Sequence, residues 1–293
     1  MTQPISQGVV GKQGLSADDL AQIRQLADIC NAHEGLNLKL NWEDLRLRPA
    51  DETNDFAYYQ QGALIGFLGI YIFGSDQAEI SGMVHPAARR GGIFRALLQA
   101  ALAECARRGC SQVLLICERT SRSGAAFASA MGARLVFSEH KMELDAQTSL
   151  PAITGPVRLR RAQIVDADLV ARIVAIAFGE LADEAAARQS IVKAMQNDSR
   201  QFFIGELDGV PIGVLNLSAD EADIGIYGFG VLPDQRGRGY GRQMLAQAIQ
   251  QALAQHARRV MLEVETNNNN ALALYQSCGF NEVASYDYYQ LDR

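Results

Sequence analysis

Apolar residues recur at helical spacing in two separate stretches of the chain. Near the start, Ser16 precedes a run with apolar residues three or four positions apart, and serine is a favourable N-cap. A second run of the same kind follows Asp166. Both spacings predict amphipathic helices with one buried face. The apolar faces comprise Leu20, Ile23, Ala27 and Cys30 in the first run and Val170, Ile173, Val174 and Ala177 in the second.

Each predicted helix is followed by two apolar segments that a two-residue turn joins. The turns are Gln61-Gly62 and Asp208-Gly209, and such turns between apolar runs predict β-hairpins. In both halves a further strand, a glycine-containing turn, a long helix and another strand follow. The strands after the hairpins are Ala78–Val84, Val113–Cys117, Ile224–Val231 and Val260–Val264, and the long helices are Ile93–Arg108 and Arg242–Ala257.

This repeated order of elements predicts two copies of one α/β unit. Between the copies, the segment Ser149–Pro156 contains two prolines and one glycine, a composition typical of a linker. We therefore predict a first domain over residues 1–150 and a second over residues 157–293.

A glycine-rich segment connects the strand Ile224–Val231 to the helix that follows it. It contains Gly237, Gly239 and Gly241, and alternate glycines let backbone N–H groups come close to a bound group. The helix N-terminus adds unpaired N–H groups and the positive end of its dipole. The pattern is neither Gly-x-Gly-x-x-Gly nor a P-loop, because no Gly-Lys-Ser/Thr follows. It predicts an anion site suited to a pyrophosphate.

Two motifs in the right order resemble the GNAT N-acetyltransferase superfamily. Arg236, Gly239 and Gly241 match its pyrophosphate motif, Arg-x-x-Gly-x-Gly/Ala. The resemblance covers roughly residues 157–293, and the repeated layout is similar to that of tandem members. The resemblance implies two tandem α/β (α+β) domains, each with a mixed, largely antiparallel sheet flanked by helices. The second motif, Asn-x-x-Ala-x-x-Leu-Tyr-x-x-x-Gly-Phe, is matched by Asn268, Ala271, Leu274, Tyr275, Gly279 and Phe280.

The resemblance implies an enzyme that moves an acetyl group from acetyl-CoA to a primary amine of a small molecule or peptide. It implies a strand splayed from its neighbour, with the Val231 N–H facing the thioester oxygen. Tyr275 is then the general acid that protonates the leaving thiolate. The implied cofactor-binding residues are Phe229, Val231, Arg236, Gly237, Arg238, Gly239, Tyr240, Gly241 and Asn268.

These assignments have plainer alternatives. Gly228 and Gly230 would ease a bulge in the splayed strand, but an ordinary core strand also tolerates two glycines. Tyr275 on an apolar helix is commonly a packing residue. Asn268 is equally suited to capping a helix.

The general base and the acceptor pocket stay open. Glu263 and Tyr227 are candidates for the base, directly or through water. The last predicted strand carries Tyr286, Tyr288 and Tyr289, which either shape the acceptor pocket or pack in the sheet.

The first half departs from the superfamily pattern. Arg89 and Gly92 are retained, whereas Phe94 occupies the final Gly/Ala position. The position of the motif tyrosine is occupied by Ala128, which has no proton to donate. We expect a degenerate domain with a structural or substrate-shaping role.

Composition narrows the function classes. The formal net charge is −6, which argues against a broad nucleic-acid surface. No apolar run approaches the about eighteen residues of a membrane-spanning helix, and the N-terminus lacks the pattern of a secretory signal. We expect a cytoplasmic protein. The five cysteines form no Cys-x-x-Cys pair and the four histidines are scattered, so no metal site is predicted.

Two other functions compete with the enzyme. One is a protein that binds or senses acyl-CoA without catalysis, which a retained Tyr275 disfavours. The other is a phosphotransferase, which the absence of a P-loop lysine disfavours. The sequence leaves the acceptor, the length of the acyl group and the oligomeric state open.

Overall fold

The chain folds into two compact units. The first unit contains the chain up to Glu139 together with Ala284–Arg293, and the second contains His140–Val283. The computed structural model describes residues 8–72, 76–145, 152–179 and 184–291. The first part of the predicted linker, residues 149–151, lies outside the described residues.

The first unit begins with a strand and a long helix, followed by an antiparallel hairpin. Ser16 caps this helix, as predicted, through a bond from Asp19 N to its side chain. The strands of the first unit are β1 (Gly8–Gln13), β2 (Thr53–Gln60), β3 (Ala63–Ile72), β4 (Gln77–Val84) and β5 (Gln112–Glu118). Its helices are α1 (Ala17–Glu34), α2 (Trp42–Arg46), α3 (Ile93–Arg107) and α4 (Arg122–Ala130).

The second unit repeats this order of elements. Its strands are β7 (Val157–Arg161), β8 (Arg200–Leu207), β9 (Val210–Asp220), β10 (Asp223–Val231) and β11 (Arg259–Glu265), and its helices are α5 (Ala167–Phe178), α6 (Glu184–Met195), α7 (Tyr240–Ala254) and α8 (Asn269–Ser277). Both predicted hairpins, β2–β3 and β8–β9, are confirmed.

Two strands contain the boundaries of the units. The division falls within β6 (Arg134–Leu144) after Glu139, and within β12 (Phe280–Gln290) after Val283. Residues 140–145 therefore group with the second unit, and 284–291 with the first, which linker composition alone did not indicate. The cause is strand pairing, because β12 pairs antiparallel with β5 from Tyr286 to Gln290.

Each sheet is mixed and largely antiparallel, as the resemblance implied. In the first unit the strand order is β1-β2-β3-β4-β5, followed by the part of β12 after Val283, and in the second unit the part of β6 after Glu139 is followed by β11-β10-β9-β8-β7. The pairs β4 with β5 in the first unit and β10 with β11 in the second run parallel. Because a parallel pair needs a crossover, the helices α3 and α7 connect these strands.

The long helices bury one apolar face each. On α7 the residues Met244, Leu245 and Ile249 are completely buried against the sheet of the second unit. Full burial of such a side chain contributes about 1.5–3 kcal/mol. The helix begins two residues before its predicted start at Arg242, because Gly239 adopts a left-handed conformation (φ 77°) and forms the N-cap.

The tyrosines Tyr286 and Tyr288 of β12 pack in the first unit. Tyr286 and Tyr288 are each 1% exposed, and the Tyr288 ring stacks on Phe137 with centroids 4.2 Å apart. This arrangement favours the packing alternative for these tyrosines over an acceptor pocket in the second half.

Within the described part of the chain, no helix has both the length and the apolarity needed to cross a bilayer. Among the same residues, no three His, Cys, Asp or Glu side chains cluster as metal ligands would.

A buried ion pair lies in the first unit between Arg48 and Asp55. Arg48 Nη2 donates to Asp55 Oδ1 at 3.1 Å, and the Asp55 side chain is 0% exposed. Among the described residues, Arg48 Nε and Asp55 Oδ2 have no hydrogen-bond partner, although they lie 3.0 Å apart. Burial therefore outweighs the attraction of Arg48 and raises the pKa of Asp55 to about 6.

We expect Asp55 to contribute a loss of stability to the first unit as the pH rises from about 4 to about 6. In this range the folded state still binds the Asp55 proton and the unfolded state does not, so the free energy of unfolding falls by up to about 1.4 kcal/mol per pH unit. Urea unfolding followed by fluorescence of Trp42, the single tryptophan, measures this unit directly. Asp55→Asn should remove this contribution, so the free energy of unfolding of the variant should fall less than that of the wild type between pH 4 and 6, or should rise.

Asp19→Asn is the matched control, because burial raises the pKa of Asp19 but the bonds with Lys12 and Ser16 outweigh it and leave this pKa below its usual value. The charge of Asp19 is the smallest of the named causes that act on the pKa of Asp55, so this variant should keep most of the wild-type slope between pH 4 and 6. An Asp55→Asn protein with the wild-type slope would contradict the assignment.

Candidate functional site

The glycine-rich loop of the second unit has the backbone shape of an anion site. β10 ends at Val231, and the 3₁₀ turn Pro233–Gln235 leads into the loop. Gly237 (φ 74°) and Gly239 (φ 77°) are both left-handed, and a Cβ on either would meet no atom within 4 Å. The first N–H groups of α7, at Tyr240 to Arg242, have no acceptor within the helix, as at any helix start. No side chain of the described residues caps them. These groups point out of an open helix mouth that suits a phosphate.

The three arginines of the loop have different surroundings. Arg236 Nε donates to Val231 O at 2.9 Å and its Nη2 donates to Ala177 O at 2.6 Å, so this side chain holds the loop against β10 and α5. Arg242 Nη1 donates to Ser277 Oγ at 2.5 Å. Arg238 is exposed beside the helix mouth. Arg238 and the backbone are therefore better placed than the Arg236 guanidinium to meet an anion.

β10 and β11 are paired over only part of their length. The parallel register runs from Asp223 opposite Arg259 to Ile226 opposite Leu262. β10 continues to Val231, past the end of this register. The predicted opening between the strands thus begins after Ile226. It leaves Phe229 and Val231 on the segment that a linear ligand could pair with, as β-strand addition requires.

A bulge lies in the same segment of β10. Tyr227 is opposite Asn216 on β9, but Gly230 is opposite Val214, so the register shifts between them by one residue. Gly228 is left-handed (φ 54°), which glycine adopts at little cost. Asn216 Nδ2 donates to Tyr227 O at 3.1 Å. The bulge predicted from Gly228 and Gly230 is confirmed, and the contribution of Asn216 was not predicted.

Tyr275 lies on α8 and faces this strand. Its ring centroid is 6.3 Å from that of Phe229, and the side chain is 8% exposed. Burial raises the pKa of Tyr275 to about 12, so the phenol keeps its proton at neutral pH. A protonated phenol beside an open strand edge is suited to donate a proton.

Asn268 caps α8. Its Oδ1 accepts a hydrogen bond from Ala271 N at 3.2 Å. The capping alternative for this residue is therefore present in the structure, and a second role for Asn268 at a cofactor stays a prediction.

The candidates for the general base differ in exposure. Tyr227 is 39% exposed and lies at the start of the bulge in β10. Glu263 is half-buried on β11. Asp223 is buried, and bonds from Arg259 and Arg258 outweigh that burial and lower its pKa. Asp223 is thus held as a carboxylate by two arginines at the start of β10, away from the bulge.

The first unit retains the loop but not the bulge. Arg90 (φ 67°) and Gly92 (φ 80°) are left-handed, as Gly237 and Gly239 are in the second unit. The parallel register of β4 with β5 also stops early, at Ile80 opposite Leu115. However, β4 pairs with β3 without a register shift from Ala78 to Val84.

A cavity of about 750 Å³ lies in the first unit beside this loop. It is lined by Arg90, Phe94 and Phe127, and the two phenylalanine rings meet edge to face with centroids 4.8 Å apart. Arg89 Nη1 donates to Glu34 Oε2 at 2.6 Å at the wall of the cavity. Ala128 also lines it, at the position that Tyr275 has in the second unit. The sequence motifs gave no sign of a cavity of this size.

Comparison with known proteins places both units in one family. The model of the acetyltransferase (GNAT) family matches residues 20–133 and 170–280. The mycothiol acetyltransferase of Thermomonospora curvata is 29% identical over 96% of this chain and 97% of its own length. That of Mycolicibacterium smegmatis is 27% identical over 94% of this chain and 96% of its own length.

Solved structures share the fold at lower identity. A GCN5-related N-acetyltransferase from Sphaerobacter thermophilus matches with a TM-score of 0.80 and 18% identity over 96% of this chain and 95% of its own. A tandem GNAT protein from the clavulanic acid biosynthesis pathway matches with a TM-score of 0.72 and 17% identity, covering 96% and 97% of the two chains.

The family model matches a segment of each half of the chain, and the two segments, residues 20–133 and 170–280, together make up more than half of it. The chain therefore belongs to the acetyltransferase (GNAT) family and is a tandem N-acetyltransferase.

Proposed function

We propose that the second unit transfers an acetyl group from acetyl-CoA to a primary amine by direct attack. The observation that carries this proposal is the bulged and partly unpaired end of β10, which leads directly into an uncapped helix mouth. A strand edge and a helix mouth in succession suit a ligand with an extended amide arm and a diphosphate.

The residues of the second unit fit such a ligand. The N–H groups at the start of α7 and the exposed Arg238 would hold the diphosphate, and Gly239 leaves room for its close approach. Phe229 and Val231 would pair with the pantetheine arm. Acetyl-CoA itself supplies the thioester whose acetyl group is transferred.

The chemistry needs a neutral amine, a stabilised oxyanion and a protonated leaving group. An alkylammonium has a pKa of about 10, so a base or a water chain must remove a proton before attack. The Val231 N–H would donate to the developing oxyanion. Tyr275 would protonate the thiolate, since its buried phenol is neutral at physiological pH.

The acceptor is best described as a primary amine of a small molecule or peptide. The relatives that match almost the full length of the chain are named mycothiol acetyltransferases, which favours a small-molecule acceptor. The exposed Tyr227 lies on the bulged segment, where an acceptor amine would have to come near the thioester.

For the first unit we propose coenzyme binding without turnover. The cavity of about 750 Å³ and the left-handed Arg90 and Gly92 support binding. The unbroken register of β4 and the presence of Ala128 oppose catalysis. This function would be structural or substrate-shaping for the protein as a whole.

Replacement of Tyr275 by phenylalanine should lower kcat at least about tenfold, because general acid catalysis typically contributes a factor of about 10² to 10⁴. The affinity for acetyl-CoA, measured by calorimetry, should stay within about twofold. Turnover is measured as thiol release with a panel of amines. Tyr58 is a half-buried tyrosine on β2 of the first unit. Its replacement, Tyr58→Phe, is the control and should keep the wild-type kcat. Unchanged kcat in Tyr275→Phe would remove the general-acid role.

Two matched glycine variants identify the active unit. Gly239 and Gly92 are both left-handed N-caps, and a Cβ added to either would meet no atom within 4 Å. Leucine at either position strains the backbone equally and covers the helix mouth. Gly239→Leu should raise the KM for acetyl-CoA at least about tenfold, whereas Gly92→Leu should leave turnover near wild type. Loss of turnover in Gly92→Leu alone would assign the reaction to the first unit.

A further inference from the structure

We propose that Asn216 is a positioning residue for the acetyl transfer, and that its side-chain amide fixes the bulge of β10. The inference rests on the proposed function of the second unit. Asn216 lies on β9, outside both sequence motifs, and its Nδ2 donates to Tyr227 O at 3.1 Å.

The bond controls one peptide plane at the centre of the bulge. The Tyr227 carbonyl belongs to the peptide that ends in the N–H of Gly228, the left-handed residue of the strand. A strand with one extra residue cannot present all its polar groups to the neighbouring strand. The Asn216 side chain meets the carbonyl at this point, and thereby sets the direction in which β10 continues to Phe229 and Val231.

The packing around Gly228 agrees with this role. A Cβ on Gly228 would lie 3.1 Å from Asn216 Nδ2, and apart from residues 227–229 no other atom of the described residues would lie within 4 Å of it. Asn216 is thus the neighbour that occupies the space beside the bulge. The position of the Asn216 amide therefore depends on Gly228, because a larger residue at position 228 would displace Asn216 Nδ2.

The first unit provides an internal comparison. Counted from the hairpin turns, Gly69 on β3 takes the place of Asn216. It is opposite Ser81, in a register that runs unbroken along β4. The unit that lacks the bulge therefore lacks both the side-chain donor and the left-handed glycine. The unit that has the bulge has both.

Correct placement of the Val231 N–H is the catalytic consequence. An oxyanion donor acts only within about 2.7–3.1 Å of the developing charge, and a misplacement of 1 Å can cost about a hundredfold in rate. Loss of the Asn216 bond should thus reduce kcat more than it weakens binding of acetyl-CoA, because the helix mouth that holds the diphosphate is not altered.

The experiment compares Asn216→Ala, Asn216→Asp and the control Ser218→Ala in the full-length protein. Ser218 lies two residues along β9, opposite Gly225 and outside the bulge. We expect Asn216→Ala to lower kcat at least about tenfold while the calorimetric affinity for acetyl-CoA stays within about threefold. Ser218→Ala should keep the wild-type kcat.

Asn216→Asp separates positioning from packing, because it keeps the shape of the side chain but not its donor. An ionised carboxylate cannot donate to Tyr227 O, whereas a protonated one can. The ratio of variant to wild-type kcat should therefore rise as the pH is lowered from 8 towards about 5. A purely structural role gives a ratio that does not depend on pH.

Hydrogen exchange provides a readout that needs no turnover. The amides of residues 228–231 should exchange faster in Asn216→Ala than in the wild type, with the rest of the second unit unchanged. Unchanged exchange in this segment overturns the proposal for Asn216, whether or not the wild-type protein transfers an acetyl group. A wild-type protein that transfers no acetyl group would contradict the proposed function instead. Faster exchange with unchanged kcat in an active enzyme also overturns the proposal for Asn216.

Discussion

One departure from regular strand pairing determines the geometry of the second unit. β10 has a residue too many for β9 between Tyr227 and Gly230, and its parallel register with β11 ends at Ile226. Backbone N–H and C=O groups normally require hydrogen-bond partners. A strand that is unpaired on one side and bulged on the other is therefore costly unless other groups bond to its backbone. Here Asn216 provides one of these partners, and we propose that a bound coenzyme provides more.

The neighbouring elements stabilise this open segment. α7 fills the sheet face with Met244, Leu245 and Ile249, and Arg236 ties the loop to Val231 O and Ala177 O. The strand end, the loop and the start of the helix are thus held together by contacts within the protein. Preorganisation of this kind lowers the entropy that binding must overcome.

The functions that we propose for the two units describe a duplicated fold that keeps binding and loses chemistry in one copy. The loop of the first unit keeps the two left-handed residues and the early end of the parallel register, and a cavity of about 750 Å³ lies beside it. Its β4 has no register shift, and Ala128 replaces the phenol. Binding depends on the backbone shape of a loop, whereas transfer depends on particular N–H and O–H groups, which single substitutions remove.

The sequence predicted those parts of the site that depend on local conformation. Gly237 and Gly239 indicated the loop, the turns Gln61-Gly62 and Asp208-Gly209 indicated the hairpins, and Gly228 indicated the bulge. The interaction of Asn216 with Tyr227 depends on strand register, which no local pattern specifies. The pairing of β12 with β5, and so the bounds of the units, likewise depends on contacts far apart in sequence.

Amide resonances of the loop glycines test the central claim most directly. In protein labelled with ¹⁵N-glycine, addition of acetyl-CoA should shift the signals of Gly237, Gly239 and Gly241, assigned through single alanine variants. These shifts should approach saturation together and be reproduced by CoA, which shares the diphosphate. Loop glycine signals that stay in place at acetyl-CoA concentrations that support turnover would contradict the account.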